Sequence, residues 1–215
     1  MSLELIIFNG ILFSEGFCAL LGILNYKKLK QTYWKCFVWY CVIIFLSEMF
    51  SKFILDYYPN KRKFYFDFFG IPIQFFFLFW LYAKKSLQSN RLYLISTITY
   101  LCFLVPHFFY ISETRLINQM SYTMGCFLLL IMCVLEFNKQ IKSDDILNFK
   151  FNKMFYINIG VIIFYIGTMP FFTFDKYLFE NQKVIWSNYK LFFLISVNIM
   201  YLLFAASFVW GKPKP

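Results

Sequence analysis

Seven stretches of predominantly apolar residues, each of bilayer-spanning length, take up almost all of this 215-residue chain. They run from Leu3 to Tyr26, Trp34 to Leu55, Phe64 to Ala83, Leu92 to Ile111, Ile117 to Phe137, Met154 to Phe174 and Tyr189 to Trp210. A helix of about 20 such residues crosses the hydrocarbon core of a membrane. The breaks between them are short and polar, so no segment remains for a separate soluble domain. A mean hydropathy of +0.60 with 60 % hydrophobic residues excludes a soluble globular protein. Spanning strands would alternate apolar and polar residues, whereas Phe75-Phe76-Phe77-Leu78-Phe79-Trp80 is apolar on every side. A helix satisfies its backbone within the segment, which lets such a run cross hydrocarbon. The expected fold is an all-α membrane protein, one seven-transmembrane-helix bundle over residues 1–215.

An odd number of spans puts the termini on opposite sides, and lysine and arginine then decide which side is cytoplasmic. Thirteen of the 21 basic residues fall on the side of the C-terminus, among them Lys27, Lys28, Lys30, Lys84, Lys85, Lys139 and Lys142. The balance predicts the N-terminus outside and the C-terminus in the cytoplasm, with Lys61-Arg62-Lys63 as the main violation. Trp34, Trp80 and Trp210 fall near the inner interface and Trp186 near the outer one, the depth that indole rings favour. The first span reads as a retained helix, because Glu4 precedes it and Glu15 interrupts it, unlike a cleaved signal peptide.

A net charge of +10 would raise nucleic acid as a partner in a soluble protein. Here the basic residues sit at helix ends, where they set topology and meet anionic lipid, and the expected partner is the bilayer, not nucleic acid. The six cysteines, Cys18, Cys36, Cys41, Cys102, Cys126 and Cys133, lie inside the spans without metal-ligand spacing and read as buried thiols. With one histidine, no metal site and no cofactor is expected. Phosphate-loop, GxSxG and HExxH motifs are missing, which leans away from an enzyme.

Charged groups at bilayer depth cost about 2.5 to 3.5 kcal/mol on insertion scales and therefore mark candidate sites. Glu15 lies mid-way along the first span, and Glu48 in the outer half of the second. Lys52, Asp67, Gln74, His107, Gln119, Thr123 and Thr168 also map to the outer half, with Asn198 near mid-depth. Glu48, Lys52 and Asp56 share one helix face, so a structural ladder is the alternative for Glu48. Glu15 needs a partner from another helix. Asn198 is open to a bridging role between helices, and His107 to an interfacial hydrogen bond. Pro72, Pro106 and Pro170 sit in the interior or outer part of their spans, where each frees a carbonyl and bends its helix. Together these residues predict a ligand or proton pocket in a bent, polar outer half.

Three classes of function accommodate such a pocket. A retinal protein does not, because Lys190, the lysine nearest the last span, stands at its entry. A carrier of a small solute or of protons finds weak support in Gly70-Ile71-Pro72 and Gly167-Thr168-Met169-Pro170, two interrupted spans. A lipid-modifying intramembrane enzyme would use Glu15, Glu48, Asp67 and His107 as acid and base. A sensory or signalling subunit would couple the pocket to the cytoplasmic loop from Asn138 to Lys153 and the basic tail. It would need a separate cytoplasmic or membrane signalling protein as partner.

The closing pattern Phe164-Tyr165-Ile166-Gly167 with Pro170, then Asn198 with Met200-Tyr201 and a final Phe208-Val209-Trp210, resembles a group of short seven-helix bacterial integral membrane proteins. Tyr26-Lys27-Lys28 after the first span and Glu48 late in the second belong to the same resemblance. It implies the seven-helix fold and the bacterial inner membrane, and no particular activity. The reading favoured is a sensory subunit, with the carrier and the enzyme as alternatives.

Overall fold

The computed structural model describes residues 3–109, 115–143 and 147–211, with the side chains at 3–6, 8, 56, 59, 60, 63, 107–109 and 115–119 outside the description. The chain is all-helical, 91 % helix, with no strand among the described residues. Its α-helices are α1 (Leu3–Leu24), α2 (Tyr26–Leu29), α3 (Trp34–Phe53), α4 (Pro59–Tyr65), α5 (Ile71–Phe79), α6 (Asn90–Phe109), α7 (Arg115–Lys142), α8 (Lys153–Val161), α9 (Gly167–Asn181) and α10 (Lys183–Val209). Five helical stretches are long and apolar enough to cross a membrane: Trp34–Phe53, Phe66–Ser86, Met120–Lys142, Lys153–Asn181 and Lys183–Val209. A shorter apolar stretch runs from Asn9 to Leu24.

The outward faces are as apolar as the inward ones. Along α3 the buried residues Trp34, Phe37, Val38, Cys41 and Ile44 alternate at helical spacing with exposed Trp39, Ile43, Leu46, Phe50 and Phe53. On a helix in water the second set would be polar. Hydrocarbon is the solvent in which both faces are stable, which makes the chain an integral membrane protein in contact with lipid.

Two of the rods, residues 59–86 and 153–181, are interrupted by π-helical turns. π-Helical turns occupy Phe66–Gly70, between α4 and α5, and Ile162–Ile166, between α8 and α9. Each lies just before a proline, Pro72 and Pro170, which withdraw the N–H that would bond the carbonyls of Phe68 and Ile166. A π-turn redistributes such bonds locally. α9 also departs from helical geometry at Phe174 (φ −112°, ψ 15°). A third π-helical segment, Trp80–Ser86, has no proline near it. Pro106 lies inside α6, which shows no such turn.

α1 packs against both α3 and α10, so the first and last long helices are neighbours. α10 also packs on α8 and α9, α7 on α6 and α9, and α5 on α6 and α7. Aromatic contacts join α5 to α3: Tyr40 stacks on Phe77 at 4.1 Å, and Phe37 meets Phe77, Phe204 and Phe208. Gly125 lets Phe75 lie flush on α7, since a Cβ there would come within 2.6 Å of the ring. Fully buried Phe37, Phe79, Leu81, Tyr82, Leu129, Met132, Ile157 and Phe204 concentrate the core toward the end that carries α2. Four cysteines are buried, whereas Cys36 is half-buried and Cys102 exposed.

One connection and one side chain differ from the sequence expectation. Residues 175–188, expected as an outer loop, are helical apart from a break at Gln182, so the last helix begins at Lys183 rather than Tyr189. Trp34, placed at an interface by its sequence position, is buried with an unpartnered indole N–H. It packs inside the bundle instead of anchoring to lipid.

Candidate functional site

Toward the end that carries α4, the helices enclose a cavity of about 320 Å³. Its polar lining comes from the first part of the chain: Glu15 on α1, Glu48 on α3, Arg62 on α4 and Gln74 on α5. The later helices add Tyr122, Phe164, Tyr165, Phe172, Phe193 and Tyr201, with aliphatic groups between them. Ligand pockets typically span about 300 to 1,000 Å³ with mostly apolar walls and a few convergent polar groups. This one fits that description at its smaller end.

Glu15 is placed by the inward face of α1, which also buries Ser14 and Cys18. Only 4 % of Glu15 is exposed. The Tyr201 hydroxyl of α10 acts on it, while its Oε2 has no partner. Cys18 Sγ lies 3.7 Å from Cys41 Sγ, fixing α1 against α3 one turn below.

The α3 segment around Glu48 is tied down on both sides. Ser47 shares a 2.7 Å hydrogen bond with the Tyr65 hydroxyl, Arg62 donates from Nε to Ser51 Oγ at 3.1 Å, and Lys52 donates to Asn9 Oδ1 at 2.9 Å. These bonds hold α4 and α1 around Glu48. The charges of Arg62 and Lys52 act on Glu48, and that of Glu48 acts on Glu15. Across the cavity Tyr165 donates to Gln74 Oε1 at 2.5 Å, joining α5 to the π-turn before α9.

Glu15, Glu48 and Gln74 therefore converge on the cavity. Thr168 stands one shell back: it donates to the Phe164 carbonyl and shares a 3.1 Å hydrogen bond with the Tyr122 hydroxyl. Asn198 bridges helices instead, donating to the carbonyls of Ile7 and Leu194, with Gly10 leaving room for its side chain. Lys52 and Asp67 do not line the cavity, although Asp67 is buried. Pro72 is buried beside Ile71, while Pro106 and Pro170 are exposed. The side chains of His107 and Gln119 lie outside the described residues.

Arg62 was hidden in a cluster that reads as a topological violation; its place one turn into a helix that follows a polar break was the available clue. The cavity tyrosines were hidden among 16 tyrosines and 32 phenylalanines. Glu136 was missed altogether. It is 2 % exposed at the α2 end, where it accepts from Ser86 Oγ at 2.6 Å and from Gln140 Nε2 at 2.9 Å, while Lys139 donates to the Ser86 carbonyl. Burial and the Glu136 carboxylate push the Tyr33 hydroxyl up to about 12. The rule that singles out Glu15, a carboxylate inside an apolar run, applies equally to Glu136. Lys153 is as deeply buried and donates to the Ser207 carbonyl at 2.7 Å.

Among the described residues no group of three histidine, cysteine or acidic side chains is placed to hold a metal ion. The chemistry available in the cavity is that of two carboxylates, a guanidinium, an amide and phenolic hydroxyls against aromatic walls. Such a set binds and orients a small molecule or carries a proton. Compared with known protein families, with curated proteins and with solved structures, the chain finds no match in any of the three.

Proposed function

We propose that the protein is a single-domain, seven-spanning bacterial inner-membrane protein, N-terminus outside, that binds a small molecule in this cavity and serves as a sensory subunit. The convergence of Glu15, Glu48, Arg62 and Gln74 in one aromatic-walled cavity carries the binding reading. The orientation rests on the excess of basic residues at the α2 end, and it opens the cavity toward the outer face. The seven-fold count adds α1 and α6 to the five longer apolar stretches.

Two features favour a sensor over an open conduit. The half of the bundle toward the α2 end is filled by large buried side chains, and its polar groups Glu136, Gln140 and Ser86 are bonded to one another. The bent rods that line the cavity continue into that packed half, which gives occupancy a route to the inner loops. The sensor reading includes a separate protein partner that reads the state of the inner loops.

A carrier is the second reading, favoured by one observation: the π-turn and proline pairs at Phe66–Gly70 with Pro72, and Ile162–Ile166 with Pro170, interrupt two of the helices around the cavity. Interrupted helices at a binding site are a carrier's hallmark. Reconstitution in proteoliposomes separates the two. A sensor shows saturable ligand binding without flux, and flux that Glu15→Gln abolishes would replace the sensor by the carrier.

A further inference from the structure

The chemical class of the ligand follows from how the cavity's charges are already matched, given the binding reading above. Arg62 and Lys52 act on Glu48. Among the described residues no cation acts on Glu15: the groups that act on it are the Tyr201 hydroxyl and the repelling charge of Glu48, and Oε2 is bare inside a residue that is 4 % exposed. A bare buried carboxylate is strongly unfavourable unless it takes up a proton or a positive partner arrives.

The aromatic lining is suited to such a partner. Tyr165, Tyr122, Phe172, Phe193 and Phe164 touch in a closed cycle, with centroid separations of 6.5, 4.6, 5.4, 5.8 and 4.7 Å around it. All five line the cavity. Ring faces attract cations, the more so when water is excluded, and clusters of them are used to hold ammonium groups. Arg62 and Lys52 already match Glu48, which leaves Glu15 as the acid of the lining with no cation opposite it and a place there for a positive group. An anion would face the two acidic side chains of the lining, Glu15 and Glu48.

We infer that the cavity takes a small organic cation, an amine or quaternary ammonium on an apolar body, with its nitrogen beside Glu15 Oε2 and its body against the aromatic cycle. The test uses the full chain in lipid nanodiscs and three probes of one shape, 2-phenylethylammonium, 2-phenylethanol and phenylacetate, titrated calorimetrically. The ammonium is expected to bind at least tenfold more tightly than either of the others. Glu15→Gln removes that preference, and Tyr201→Phe, which keeps the carboxylate, retains it.

Ile11→Trp, which fills the cavity, abolishes binding of every probe. Equal binding of ammonium and alcohol to the wild-type chain, or tightest binding of phenylacetate, overturns the cation while the cavity stands if Ile11→Trp still abolishes binding. No binding of any probe to the wild type overturns the cavity reading and the cation with it.

Discussion

Glu136 and Glu15 are both buried carboxylates, yet they differ in how their oxygens are used. Both Glu136 oxygens accept hydrogen bonds, from Ser86 and Gln140, so its removal leaves buried donors bare at about 1 to 3 kcal/mol per group. Glu136→Leu is expected to lower the thermal unfolding midpoint in detergent by several degrees, and Glu136→Gln, which keeps an acceptor, by less. Glu15→Gln touches no such network beyond Tyr201 and is expected to leave the midpoint nearly unchanged. Equal losses for the two leucine and glutamine variants at 136 would show that the bonds to Ser86 and Gln140 contribute little. The rule about charges at depth found Glu15 and Glu48 from sequence because a carboxylate in an apolar run stands out. It did not distinguish a cavity wall from a helix bridge, since the bonds of Asn198 to Ile7 and Leu194 depend on which helices become neighbours.

Individual helices were legible from runs of apolar residues, and the bends at Phe66–Gly70 and Ile162–Ile166 from the prolines beside them. The π-helical Trp80–Ser86 was not, because no residue type in it withdraws a hydrogen bond. Nor was the early start of α10, since Lys183, Ser187, Asn188 and Lys190 read as a polar connection until the helix carries them past the apolar zone. Pro170→Ala restores an N–H that reaches the Ile166 carbonyl, straightening the α8–α9 rod and moving Phe164 and Phe172. The expected result is weaker probe binding, by severalfold, without loss of thermal stability. An unchanged affinity would mean that the bend survives without the proline. Gly125→Ala acts in the opposite way, forcing Phe75 off α7; overpacking of this kind costs about 1 to 3 kcal/mol, read as a lowered unfolding midpoint.

The bundle as a whole has a packed end and a hollow end, and the orientation of that asymmetry is open to direct measurement. In a cysteine-free background, Asn181→Cys is expected to react with a membrane-impermeant maleimide in intact cells. Ser143→Cys is expected to react only in inverted vesicles. The reverse pattern would turn the cavity toward the cytoplasm. Membrane residence was legible because both faces of α3 are apolar, a property of local sequence. The cavity was legible only in part, because its polar wall comes from residues up to Gln74 and most of its aromatic wall from Tyr122 onward, and pairing the two walls requires the three-dimensional order of the rods.

The adjacency of α1 and α10 sets a schedule for biogenesis. Asn198 and the Ile7 carbonyl it meets are 191 residues apart, and Tyr201, the neighbour of Glu15, emerges later still. At about 5 to 20 residues per second the ribosome needs on the order of ten to forty seconds to deliver the last helix after the first. Through that interval Glu15 is exposed to lipid or to the insertion machinery without its final neighbour, so a nascent chain truncated before α10 should be a preferred target for membrane quality control.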